Sequence, residues 1–192
     1  MNTKKEKTRE HILEASYGLF AMKGFNAITM KDICDVTNLS RGGLYSHFSS
    51  TKELFEAVLE KLNQKDVMNF HKEIEQGIPA VKILNDALEL MEDEMNHPED
   101  SLSLAMYEYA GNVGADVINH FNDIGEEKWR ALIEYGMERG EFKKVNVTEI
   151  VHVILYAYQG VRMWSRIVTM TPETIGSIIS HIKNQLIMEV SA

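Results

Sequence analysis

Cysteine occurs once in this chain, at Cys34, and proline three times. One cysteine excludes an intrachain disulfide and fits a reducing compartment. Few prolines leave room for long uninterrupted helices. No apolar run approaches the ~18 residues that would span a bilayer. The longest, around 150–158, is interrupted by His152. The first residues, Met1-Asn2-Thr3-Lys4-Lys5-Glu6, are polar and lack the apolar core of a signal peptide, so the expected location is the cytoplasm. Catalytic signatures are missing too. There is no G-x-S-x-G elbow, no glycine-rich phosphate loop and no H-E-x-x-H. The seven histidines (11, 47, 71, 97, 120, 152 and 181) form no i, i+4 pair. These absences predict a non-enzymatic protein with no metal and no cofactor.

What is present is a balanced globular composition, 44% hydrophobic and 26% charged, with a net charge of −9. An acidic chain is at first sight a poor nucleic-acid binder, because duplex affinity rests on Lys and Arg at phosphates. The charge is unevenly spread, however. Residues 1–50 hold seven Lys/Arg (Lys4, Lys5, Lys7, Arg9, Lys23, Lys31, Arg41) against five acids, a net of +2, and the remainder carries −11. Such asymmetry suits a chain with one end turned toward a polyanion.

The N-terminal 50 residues read as three helices. Ile12, Ala15, Ser16, Leu19 and Phe20 share one helical face, and Gly24 is a C-terminal stop. Thr29 caps a short second helix, with Asp32 three residues on as a capping-box partner. Thr37-Asn38-Leu39-Ser40 forms a turn in which Asn38 tolerates the left-handed conformation. Ser40 caps a third helix, 41–48. Helix, four-residue turn, helix is the helix-turn-helix pattern. Gly42 and Gly43 each weaken a helix interior by roughly 1 kcal/mol relative to Ala. Their presence in a first turn suits close backbone approach to a groove wall. Arg41 carries the fork geometry for guanine or phosphate.

The string Ile12-Leu13-Glu14-Ala15, Leu19-Phe20, Gly24-Phe25, Thr29, Ile33, Leu39-Ser40-Arg41-Gly42, Leu44-Tyr45, His47-Phe48, Glu53-Leu54-Phe55 resembles the N-terminal domain of the tetracycline-repressor (TetR) family. The resemblance covers about 8–59. It implies that residues 29–48 read DNA, with phosphate contacts from Thr29, Ser40, Tyr45 and His47 and base-edge contacts from Arg41, Gly42 and Gly43. The family often has lysine at the position of Thr51, and Lys52 beside it is a candidate for that phosphate contact. A homodimer on double-stranded operator DNA, released by an unknown small-molecule ligand, is the function implied. The alternative from another class is a helical interaction protein; Gly42 and Gly43 beside Arg41 argue against it.

The acidic remainder also reads as helical. Ser50 and Glu53 cap a long fourth helix running to about residue 75, with Leu54, Phe55, Val58, Leu59 and Leu62 on one face. Further helices are predicted at about 79–95, 99–110, 116–139, 147–168 and 172–189, three of them opened by Pro79, Pro98 and Pro172. The expected fold is therefore all-α: a helix-turn-helix domain (1–50) joined by the fourth helix to a helical ligand-binding and dimerisation domain (51–192). Candidate pocket residues are Met91, Met95, Met106, Tyr107, Phe121, Trp129, Tyr156, Gln159, Met163 and Trp164, soft or aromatic side chains with an amide. Glu108, between two tyrosines, could neutralise a cationic ligand, but a solvated carboxylate is the more ordinary role for it. The wide apolar stripes of the last two helices, Ile154, Tyr158, Val161, Ile175, Ile178, Ile179, Ile182 and Leu186, predict burial on two sides, against their own domain and against a partner, and are the expected dimer interface. TetR relatives dimerise through those helices.

Overall fold

The computed structural model of the protein describes residues 3–65 and 70–188. Among them every regular element is helical, apart from an isolated bridge between Phe142 and Ile187. The helices are α1 (Lys4–Lys23), α2 (Met30–Thr37), α3 (Arg41–Tyr45), α4 (Thr51–Lys65), α5 (Phe70–Glu75), α6 (Ala80–Asn96), α7 (Ser103–Val113), α8 (Asp116–Glu138), α9 (Val147–Trp164) and α10 (Pro172–Leu186). A 3₁₀ turn occupies Pro98–Asp100.

Local chemistry explains where these helices start. α1 begins before the apolar periodicity does, because Thr3 and Glu6 form a reciprocal capping box. Pro172 opens α10 as expected, with Thr171 accepting the Thr174 N–H at 3.3 Å. The other two prolines depart from expectation. Pro79 occupies the cap position of α6, and Pro98 opens only the 3₁₀ turn. The helix expected at 99–110 starts at Ser103 instead, where the buried Ser101 hydroxyl accepts the Ser103 N–H at 3.1 Å. Helix α4 is followed to Lys65, and Phe70–Glu75 is helical again as α5. Continuity of the expected long fourth helix across 66–69 falls outside the described residues.

The chain divides into two compact units. The first comprises Met1–Asp66 with Glu99–Ile118, the second Val67–Pro98 with Asn119–Ala192. This division differs from a cut near residue 50, since α4 and the distant segment carrying α7 both fold with the N-terminal helices. Ile12, Phe20, Ile33, Leu44, Phe48, Leu54 and Phe55 are buried in the first unit, all at or below 2% exposure, and so is Tyr109 of α7. Phe20, Phe25, Phe55 and Tyr109 form a ring cluster with centroid separations of 4.8–6.2 Å. Truncating the buried Phe20 or Phe55 to Ala costs about 3–5 kcal/mol.

The second unit is built on an apolar core from α6, α8, α9 and α10, including Leu84, Leu88, Met91, Trp129, Ile133, Val151, Ile154, Ile175 and Ile182. Its α8–α9 connector is tied down at Phe142, whose N–H donates to the Gly136 carbonyl at 3.0 Å. A side chain on Gly136 would overlap the Phe142 ring, so this glycine is required by packing. The Lys143 N–H reaches the Leu186 carbonyl at 2.8 Å, which fixes the end of α10 to the same connector.

Candidate nucleic-acid interface

Helices α2 and α3 are joined by the turn that the sequence anticipates. Thr29 caps α2: its hydroxyl accepts the Asp32 N–H at 3.3 Å, and the Asp32 carboxylate accepts the Thr29 N–H at 2.8 Å. The same carboxylate takes the Thr29 hydroxyl proton at 2.5 Å, and these bonds hold the Asp32 pKa below the usual carboxylate value. Both donors of Thr29 are thus engaged, and a phosphate contact from its hydroxyl would have to displace Asp32. Asn38 ends α2 in the left-handed conformation, φ 55° and ψ 30°. Ser40 then caps α3 by accepting the Gly43 N–H at 3.1 Å, which leaves its hydroxyl proton available to donate outward.

The short third helix presents its candidates differently. Arg41 is exposed, and its guanidinium lies 6.0 Å from the centroid of the Tyr45 ring. Tyr45 is 44% exposed. A Cβ built on Gly42 meets nothing within 4 Å, whereas one on Gly43 would stand 3.2 Å from Ser40 Oγ. The two glycines therefore have separate causes: Gly43 accommodates the cap, and nothing in the fold requires Gly42. His47 is half-buried, between the buried Leu44 and Phe48 that seat α3 on the unit. Lys52 is exposed at the start of α4, 3.9 Å from Glu56. That helix is capped by Ser50, while Glu53 accepts from both the Ser49 N–H and hydroxyl, which lowers its pKa.

Two features escaped the sequence reading. Arg9 lies 5.1 Å from the Phe48 centroid, stacking α1 on the residue that ends the α3 region. Glu108, for which the sequence offers either a solvated carboxylate or a counter-charge for a ligand, accepts the Asn26 N–H at 2.8 Å. Neither leaves a local sequence signal, because the partners are 39 and 82 positions apart.

The other candidates separate. Met91, Met95 and Trp129 lie in the core of the second unit, with Phe121 and Met163 half-buried. Tyr156, Gln159 and Trp164 are exposed on α9, and Tyr107 (71% exposed) and Met106 belong to the first unit. Two of the ten candidates thus belong to the first unit and eight to the second. The dimer candidates show the burial against their own domain that their wide stripes predict. Ile154, Val161, Ile175, Ile179, Ile182 and Leu186 are buried within the single chain, and Ile178 packs against that core. Tyr158 donates its hydroxyl to Glu94, with Arg162 stacked 4.5 Å from its ring centroid. The chain's own helices thus cover much of these stripes, with Tyr158 and Ile178 left partly exposed. The apolar surface left on α9 is another face: Val153, Tyr156, Trp164 and, just beyond its end, Ile167 and Val168.

Among the described residues no helix is long and apolar enough to cross a membrane, and no three His, Cys, Asp or Glu side chains are grouped to hold a metal ion.

A capped α2, a left-handed Asn38 and an exposed Arg41 on a helix seated by buried leucine and phenylalanine define a helix-turn-helix DNA-binding protein. The model of bacterial regulatory proteins of the tetR family matches residues 12–58. The HTH-type transcriptional regulator YfiR of Bacillus subtilis is 30% identical over 146 residues, 73% of this chain and 71% of YfiR. The HTH-type transcriptional repressor KstR2 of Rhodococcus jostii is 20% identical over 138 residues, 70% of this chain and 68% of KstR2. A TetR-family regulator of known structure from Agrobacterium tumefaciens superposes with a TM-score of 0.79 at 16% identity, covering 96% of this chain and all of that one. The chain belongs to the TetR family of helix-turn-helix transcriptional regulators.

Proposed function

We propose that the protein is a homodimeric repressor that leaves its operator when a small molecule binds the second unit. The observation that carries the DNA-reading part is Gly42: a helix-weakening residue with open space where its side chain would be, next to an exposed arginine. Its retention suits a surface that meets another body closely. Base contacts fall to Arg41 and the Gly42 backbone, with Gly43 as the residue that keeps the Ser40 cap. Phosphate contacts fall to Ser40, Tyr45, His47 and Lys52. Thr29 serves chiefly by starting α2. KstR2, named a repressor, supports the sign of regulation.

A helix-turn-helix reads a pseudo-palindrome as a dimer, with half-site centres roughly 34–36 Å apart or more. For the second copy we assign the exposed α9 face of Val153, Tyr156 and Trp164 rather than the isoleucines inside the core. An effector then acts by a difference in affinity between the DNA-bound and free arrangements. A hundredfold loss of operator affinity needs about 2.7 kcal/mol of coupling, inside the usual allosteric range.

The test begins with duplexes selected from a random library by the full-length protein. A thermal-shift screen of small molecules follows, and each hit is titrated with and without the selected duplex. Reciprocal weakening is expected. A hit whose affinity ignores the duplex is not the effector, and a chain that selects no duplex has lost the DNA-reading part of the proposal as well.

A further inference from the structure

The connector between α1 and α2 carries a contact that neither the family match nor the sequence assigns. Gly24 ends α1 at φ 79°, in the region that side-chain-bearing residues rarely adopt. A Cβ built there would lie 2.5 Å from Glu108 Oε2. The Glu108 carboxylate therefore sits in the space that a side chain on residue 24 would fill. From that seat Oε2 accepts the Asn26 N–H at 2.8 Å, and one turn further along α7 the Asn112 amide donates to Asn26 Oδ1 at 2.5 Å. Two side chains of one helix grip the residue three positions before Thr29, and Thr29 is the cap on which α2 begins.

α7 has no freedom to leave this seat alone. Tyr109, 1% exposed, stands among Phe25 and Phe55 and donates its hydroxyl to Glu56 at 2.5 Å. Desolvation, aided by Glu56, pushes its pKa up to about 12, so it remains a donor throughout the working pH range. Tyr17 of α1 donates to the Asp100 carbonyl at 2.6 Å, just ahead of α7. The segment Glu99–Ile118 is thus part of the DNA-reading unit, while the chain on both sides of it, 67–98 and from 119 onward, folds with the second unit.

We propose that Glu108 is a positioning residue for DNA reading: seated on Gly24 and bound to Asn26, it fixes the connector that sets the start of α2. The proposal rests on the DNA-reading assignment and adds a control point to it. An acid within a DNA-binding unit ordinarily repels phosphates, so its removal should tighten binding. A positioning role reverses that sign. Glu108→Gln keeps an oxygen acceptor without the charge, whereas Glu108→Ala removes both.

The experiment compares the full-length protein with these two variants. Operator affinity is measured on a duplex selected by the wild type, and amide hydrogen exchange is followed across 24–29 without DNA. The expected result is that Glu108→Gln binds at least as tightly as wild type while Glu108→Ala binds about tenfold more weakly, with faster exchange across 24–29 in the alanine variant alone. Alanine and glutamine variants that both bind as well as wild type or better would overturn the proposal, as would faster exchange without any loss of affinity. Hydrogen exchange reads the Asn26 contact even without DNA. Unchanged exchange in Glu108→Ala therefore overturns the contact itself, separately from any failure of the wild type to select a duplex.

Discussion

Ser40 and Gly43 are matched: the serine hydroxyl accepts the glycine N–H at 3.1 Å, and a methyl group on that glycine would stand 3.2 Å from the same oxygen. Gly42, its neighbour, faces open space. Two adjacent glycines of equal helix propensity thus answer to different constraints.

Alanine at each position separates them. Gly42→Ala should leave the fold intact and raise stability by up to about 1 kcal/mol, because it removes the glycine penalty without a clash. Operator affinity should nevertheless fall by about tenfold, equivalent to about 1.4 kcal/mol. Gly43→Ala presses on the cap, and its stability should drop by up to about 1 kcal/mol. Thermal melts and operator titrations of both variants give the comparison. A Gly42→Ala protein that binds normally would remove groove proximity as the reason for that glycine.

Arg41 and Tyr45 supply a second separation, since the guanidinium lies beside the tyrosine ring. Arg41→Ala should cost about 1–3 kcal/mol at one base-pair position if the contact is bidentate to guanine. Tyr45→Phe keeps the ring and removes only the hydroxyl, so all sequences should weaken evenly. Tyr45→Leu removes the platform too and should relax specificity at the Arg41 position. Binding-site selection with each variant checks this, and identical base preferences for the Phe and Leu variants would dismiss the platform.

Much of the first unit was legible in the sequence because its determinants are local. Caps at Thr29 and Ser40, a left-handed Asn38 and the apolar spacing of α1 each act over a few residues. Glu108 and Tyr109 were not legible, because their partners at Asn26 and Glu56 lie 82 and 53 positions away. The isoleucines of α10 show where periodicity stops being informative. Periodicity reports that a face is buried and is silent on what buries it.

The oligomer prediction follows from that distinction. Trp164→Glu or Tyr156→Glu places charge on side chains 53% and 62% exposed in the single chain, so each variant should keep its helical content. If α9 is the dimer face, sedimentation should show monomers, since a buried unpaired carboxylate is costly. Ile182→Glu, at 1% exposure, should instead unfold the second unit. A folded Ile182→Glu monomer alongside dimeric Trp164→Glu would return the interface to α10.

Glu94 gives a pH-dependent prediction. Its carboxyl is largely buried, and desolvation raises its pKa above the ordinary value. Arg162 opposes that shift, and Asp93 adds to it. Tyr158 donates to the carboxylate, and Arg162 stacks on Tyr158. With the folded pKa raised, the folded protein binds a proton more readily than the unfolded chain does. This contribution to stability is fully present below the unfolded value near 4.5 and is lost as the pH rises through the raised folded value. Glu94→Gln holds a neutral acceptor for Tyr158 at every pH. It should therefore raise the melting temperature at pH 7, and the gain should shrink steadily as the pH falls toward 4. Thermal melts of wild type and Glu94→Gln between pH 4 and 8 measure the difference. If Arg162 outweighs burial, the variant will be less stable at pH 7 and the difference will close in the opposite sense, which would reassign Glu94 from a desolvated acid to the anionic partner of Arg162.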